Sequence, residues 1–112
     1  MSWETICNTE DVPNNAGIAA LIDGRQIALF KVKGEFYAID NFDPIGKANV
    51  LSRGIVASIK DELCVASPLY KQHFSLLTGK CLEEEVSVKS YTVRSIDGRV
   101  EIDKSSLELQ AA

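Results

Sequence analysis

The sequence is short of the residues that most often carry chemistry. It has a single histidine, His73, and three cysteines, Cys7, Cys64 and Cys81, with no C-x-x-C pair among them. Zinc and disulfide frameworks need closer, paired spacing, and an odd, scattered set in a reducing compartment reads as free thiols. No apolar run approaches the ~20 residues needed to cross a bilayer. The opening stretch MSWETICNTEDV lacks the basic and apolar blocks of a signal peptide, so a cytoplasmic location is expected. Basic charge is also in deficit: 12 Lys and Arg stand against 16 Asp and Glu, a net charge of −4 with the signs mixed along the chain. Nucleic acid is therefore not the expected partner. There is no Gly-rich phosphate loop, no nucleophile elbow and no carboxylate pair in a recognisable setting, which removes the usual hydrolase and transferase signals.

What is present is a series of short strands punctuated by turns. At 112 residues and 46% hydrophobic content, the chain suits one domain with its own core. GIAALID (17–23) and QIALFKV (26–32) flank Asp23-Gly24, and EFYAID (35–40) follows Lys33-Gly34, which predicts an antiparallel meander. SYTVRSI (90–96) and RVEID (99–103) flank Asp97-Gly98 in the same way. Helical signals are confined to two single turns: one over Asn8-Thr9-Glu10-Asp11, ended by Pro13, and one over ANVLSR (48–53), ended by Gly54. Trp3 reads as a core or strand-edge aromatic that anchors the N-terminus. The expected fold is an all-β antiparallel sandwich or barrel over residues 1–103. Residues 41–85, rich in Pro and Gly and carrying two more strand-like pieces, GIVASIK (54–60) and ELCVAS (62–67), read as an inserted two-loop subdomain. The tail, 104–112, has no turn or strand logic and is expected to fray.

Two stretches of that subdomain are parallel in design: NFDPIGKA (41–48) and ASPLYKQHF (66–74). Each follows a strand, places a proline after a small or polar residue, and turns; proline sets φ near −65° and holds the turn. In this arrangement the chain resembles the Rieske iron–sulfur family over about residues 2–103, whose loops read C-P-H-x-G-A and C-P-x-H-G-x-x-F. The resemblance is carried by Pro44, Lys47 and Ala48, by Pro68, Leu69 and Phe74, by Thr78-Gly79-Lys80-Cys81, and by the lead-in FYAIDN (36–41). It implies a Rieske-like all-β fold and places Asp43, Ile45, Ser67 and Tyr70 at the four ligand positions, where the family has two thiolates and two imidazoles. Ile has no donor atom, and Ser and Tyr hydroxyls are poor substitutes. The expectation is a cluster-type subdomain without its 2Fe–2S cluster, with Ile45, Leu69 and the Tyr70 ring filling the space between the loops.

The strings DPIGKANVLSRGIV (43–56) and ASPLYKQHFSLLTGKCLE (66–83) narrow the resemblance to the small subunits of assimilatory NAD(P)H-dependent nitrite reductases. That resemblance implies a large-subunit partner bearing FAD, an iron–sulfur cluster and sirohaem, which reduces nitrite to ammonia in nitrate assimilation. It implies no catalytic residue, cofactor or metal in this chain. Tyr70, Lys71, Gln72 and His73 on the second loop, with Lys47 on the first, are the candidate partner contacts; the plainer reading is two solvated loop tips. The lone His73 is weak evidence for a metal, and the charges of Lys47, Arg53 and Glu83-Glu84-Glu85 read most simply as solvated faces. Asp40 and Asp43 lie at a strand end and a turn, where bonding to nearby backbone is the commoner use. Two alternatives stand beside this reading: a Rieske-type ferredoxin with atypical ligands such as Asp43, His73 and Cys81, and a stand-alone binding module with an unrelated partner. A carrier would be coloured and contain iron. The purified chain is instead expected to be colourless; stoichiometric iron with a paramagnetic signal on reduction would overturn that.

Overall fold

The computed structural model describes residues 2–108. Along the chain lie β1 (Trp3–Asn8), β2 (Ala16–Ile22), β3 (Arg25–Val32), β4 (Glu35–Asp40), the short pair β5 (Phe42–Asp43) and β6 (Ala48–Asn49), β7 (Ile55–Ile59), β8 (Glu62–Ala66) and β9 (His73–Ser75). They are followed by β10 (Ser90–Tyr91), β11 (Val93–Ile96), β12 (Arg99–Asp103) and one helical turn, α1 (Ser105–Glu108). Among the described residues these strands form four sheets, ordered β1-β12-β11, β10-β4-β3-β2, β5-β6 and β7-β8-β9, with every strand pair antiparallel.

The hairpins form where the turn residues allow them. Asp23-Gly24, Lys33-Gly34 and Asp97-Gly98 each place two successive residues at positive φ, the backbone that a two-residue hairpin needs to match strand twist. A fourth such turn, Lys60-Asp61, joins β7 to β8 without a glycine.

Strand β3 organises the core. Ile27, Ala28, Leu29 and Phe30 are all fully buried, so both faces of this strand are covered, in keeping with its nearly continuous apolar run. Ile27 and Leu29 pack with Val12, Ala38, Tyr91, Val100 and Ile102, beneath the sheet built from the chain ends. Ala28 and Phe30 pack on the other side with Ile39, Leu51, Val65, Phe74 and Leu76, which come from the two-loop subdomain or face it. The central sheet is thus the floor for both halves, and it fixes the place of residues 41–85.

Several expectations are met and others corrected. The turn at Thr9–Asp11 forms, and the Asp11 carboxylate accepts the Asn8 N–H at 3.0 Å. The second turn is shorter than expected, Leu51–Arg53, because Ala48 and Asn49 pair with β5 instead. SYTVRSI is not one strand: Ser90–Tyr91 pairs with β4, and Val93–Ile96 pairs with β12 in a different sheet. The chain changes sheets at Thr92, whose carbonyl accepts the Asp103 N–H at 2.9 Å. Trp3 does sit on a sheet-edge strand, half-buried, with the Arg94 guanidinium 4.0 Å from its ring centre. In the tail, expected to fray over 104–112, the Asp103 carboxylate accepts the N–H and hydroxyl of Ser105 and so starts α1; residues 109–112 lie outside the described residues.

Phe74 is fully buried where the subdomain meets the central sheet. Phe74→Ala is expected to cost about 3–5 kcal/mol in chemical denaturation, whereas Tyr70→Ala, at an exposed position, should stay within about 0.5 kcal/mol. A loss under about 1 kcal/mol for the first would contradict this packing.

Candidate functional site at the two-loop tip

Three turns of the subdomain share one construction. The Asp43 carboxylate accepts the N–H groups of Ile45 and Gly46 at 2.8 and 3.1 Å, and the Asp43 carbonyl accepts Lys47 N–H at 2.7 Å. The Ser67 hydroxyl accepts Leu69 N–H at 3.3 Å, and its carbonyl accepts Lys71 N–H at 3.0 Å. The Ser75 hydroxyl accepts the N–H groups of Leu77 and Thr78, both at 3.2 Å, and its carbonyl accepts Gly79 N–H at 2.8 Å. Each turn opens with a short polar side chain bonded to backbone two or three residues on. Each ends on a residue at positive φ: Lys47 at 58°, Lys71 at 63°, Gly79 at 80°.

The first two turns are tied directly to each other. The Ser67 hydroxyl donates to the second oxygen of Asp43 at 2.5 Å, and both residues are essentially inaccessible. The Asp43 carboxylate therefore accepts three hydrogen bonds, two from backbone and one from a hydroxyl, which offsets the cost of burying it. Above this bond the loops touch again. A Cβ on Gly46 would lie 2.4 Å from Leu69 Cδ1, so the Leu69 side chain lies directly against the first loop at that glycine. Ile45 is half-buried against the core around Phe74.

The filling of the space between the loops is thus partly as expected. Ile45 and Leu69 contribute, but the Tyr70 ring does not: Tyr70 is 64% exposed. With Asp43 and Ser67 bonded side chain to side chain and Leu69 seated on Gly46, the loops close without an aromatic ring. Lys47 and Lys71 are exposed, and His73 and Gln72 are half-buried. The Gln72 carbonyl accepts Ser67 N–H at 2.9 Å and closes the second loop, while its side-chain oxygen is buried without a hydrogen-bond partner among the described residues.

His73 belongs to a separate cluster. Glu83 accepts the His73 backbone N–H at 2.8 Å and pairs with its ring Nδ1 at 2.6 Å; the Cys81 thiol lies 3.8 Å from the same carboxylate. Partial burial tends to raise the Glu83 carboxyl, but the hydrogen bonds and charge of His73 outweigh it and hold the group below the usual carboxylate range. The thiols of Cys7 and Cys64 are pushed up, first by burial and then by neighbouring carboxylates. Asp40 works outside the tip: its carboxylate accepts the Tyr91 hydroxyl and the Lys89 N–H, fastening β10 to β4. The Ser75 turn and the Glu83 clamp were not singled out from the sequence. The Ser75 turn is foreshadowed only by Thr78-Gly79, and the clamp has no local signal.

The family described as Rieske-like [2Fe-2S] domain matches residues 2–103. Over 103 residues the chain is 45% identical to the "Nitrite reductase (NADH) small subunit" of Salmonella typhimurium, a span of 89% of this chain and 95% of that protein. The chain belongs to this Rieske-like small-subunit family. A crystal structure of a putative NADH-dependent nitrite reductase small subunit from Mycobacterium tuberculosis superposes with a TM-score of 0.86 at 38% identity, covering 90% of this chain and 93% of that one. The chain is also 40% identical, over 97% of its length, to a stretch making up 12% of the "Nitrite reductase [NAD(P)H] large subunit" of Klebsiella oxytoca.

As a Rieske-like domain, the chain can be tested for fit to a 2Fe–2S cluster at its own loops, and the residues do not fit. Asp43 and Ser67 spend their side chains on each other, Ile45 has no donor, and Tyr70 lies in solvent. The substitute set Asp43, His73 and Cys81 is not brought together either: His73 and Cys81 both turn to Glu83. Among the described residues, no three His, Cys, Asp or Glu side chains are grouped to hold a metal ion.

Two measurements check this geometry. Asp43→Ala leaves one hydroxyl and two backbone donors without their acceptor, and is expected to lose about 3 kcal/mol or more, with Asp43→Asn losing less because an amide oxygen can still serve the backbone. Equal losses for the two would contradict it. The depressed Glu83 carboxyl adds stability that is fully present above its ordinary pKa of 4.5 and is lost as pH falls through the lower folded value. Glu83→Gln should therefore flatten the fall in denaturation midpoint below about pH 4.5.

Proposed function

We propose that the chain is the small subunit of an NAD(P)H-dependent nitrite reductase of the cytoplasm, a cluster-free Rieske-fold unit that works by binding the large subunit. The observation that carries this is the Asp43–Ser67 bond, in a chain 45% identical to a named nitrite reductase small subunit. Two of the positions that would hold a cluster, Asp43 and Ser67, instead hold the loops together, so the tip keeps its shape for association.

The Klebsiella oxytoca protein supports the partner assignment. There, a stretch like this chain is part of one polypeptide called the large subunit. A unit joined covalently in one organism and separate in another is expected to sit on the same neighbour in both, here with one small chain per large chain. FAD, an iron–sulfur cluster and sirohaem belong to that large chain, where nitrite is reduced to ammonia, and no catalytic group is assigned to this one. Of the contact candidates, Tyr70, Lys71 and Lys47 are exposed and meet the partner, while Gln72 and His73 support the loop from behind.

The test is co-expression with the large subunit, followed by affinity purification on the small one. A complex with a sirohaem absorption band, together with higher nitrite-dependent NAD(P)H oxidation than the large subunit shows alone, is the expected result. Failure of the two chains to co-purify would overturn the reading.

A further inference from the structure

We propose that the groove beside the second loop receives a segment of the large subunit whose carboxylates flank an apolar side chain. This rests on the subunit reading above and assigns the chemistry of its contact. The groove, about 430 Å³, is lined among others by Arg53, Ile55, Ser67, Pro68, Lys71 and His73. Gly54, also in the lining, lets the chain pass close against β8: a Cβ there would come within 2.3 Å of the Ala66 carbonyl oxygen.

Two properties mark this groove. The first is stranded apolar surface: Ile55, in its lining, is 75% exposed, beside Pro68, which is also exposed. The second is charge of one sign. Arg53 and Lys71 line it. Neither cation is in an ion pair among the described residues. The nearby carboxylates do not neutralise them: Asp43 is buried under the tip, and Glu83 is bound by His73. An unpaired basic rim around an apolar floor, on a chain of net charge −4, complements an acidic partner segment with an apolar residue at its centre. The larger concavity of the molecule, lined by Lys33, Glu35 and Asp61 among others, carries both signs and offers no such preference.

The experiment measures binding of the full-length chain to the purified holo large subunit at about 50 and about 500 mM salt, across which rim attractions are screened. The wild-type chain should bind more weakly at high salt. Arg53→Glu with Lys71→Glu, and separately Ile55→Ser, should each weaken binding about tenfold or more. Lys33→Glu with Lys60→Glu, on turns away from the groove, should change affinity by less than about threefold. Lys71→Gly guards against misfolding, because Lys71 sits at φ 63°, where glycine is unstrained. It should keep the fold and still lose affinity at low salt. If the wild-type complex forms and the groove variants bind equally well, this inference fails while the subunit reading stands. If the wild type does not bind, both fail. Wild-type self-association that the same variants abolish would assign the groove to a second copy of this chain and overturn the proposal.

Discussion

The hydrogen bond between Ser67 and Asp43 is the constraint on which the tip depends. It joins two turns 24 residues apart in sequence, and it is buried, so water cannot compete for it. Each partner also anchors its own turn through backbone donors, and the two loops consequently hold each other in shape. A serine hydroxyl and an aspartate carboxylate do here, as a donor–acceptor pair, the joining that four ligand side chains and two irons do in a cluster-bearing domain.

Around that bond the structure is layered. The central sheet packs the terminal sheet on one face and the two-loop subdomain on the other, and the doubly buried β3 belongs to both cores. Ile45 and Phe74 carry the loops down onto this floor, leaving Tyr70, Lys71 and Lys47 at the surface. The same packing that fixes the scaffold leaves apolar and basic groups uncovered at the tip. Such groups add nothing to the folding of an isolated chain, which is why they read as surface meant to be covered by something else.

How much of this was legible in the sequence depends on how local its cause is. The Gly turns and the strands they join were legible because positive φ demands particular residues. The kinship of the two loops was legible in their proline spacing. The change of sheets at Thr92 was not, because a β-branched residue fits a continuous strand equally well and only pairing partners in two sheets reveal the break. Nor were the exposure of Tyr70 or the Glu83 clamp on His73 readable. Both are set by which side chains meet across loops, and that has no signature in the spacing of either one.

The sharing of β3 between two cores has a mechanical consequence. A strain applied to the loops has no soft joint through which to dissipate before it reaches the sheet that carries the chain ends. Loosening of the tip then uncovers one side of a strand whose other side carries the terminal sheet, so the two are coupled.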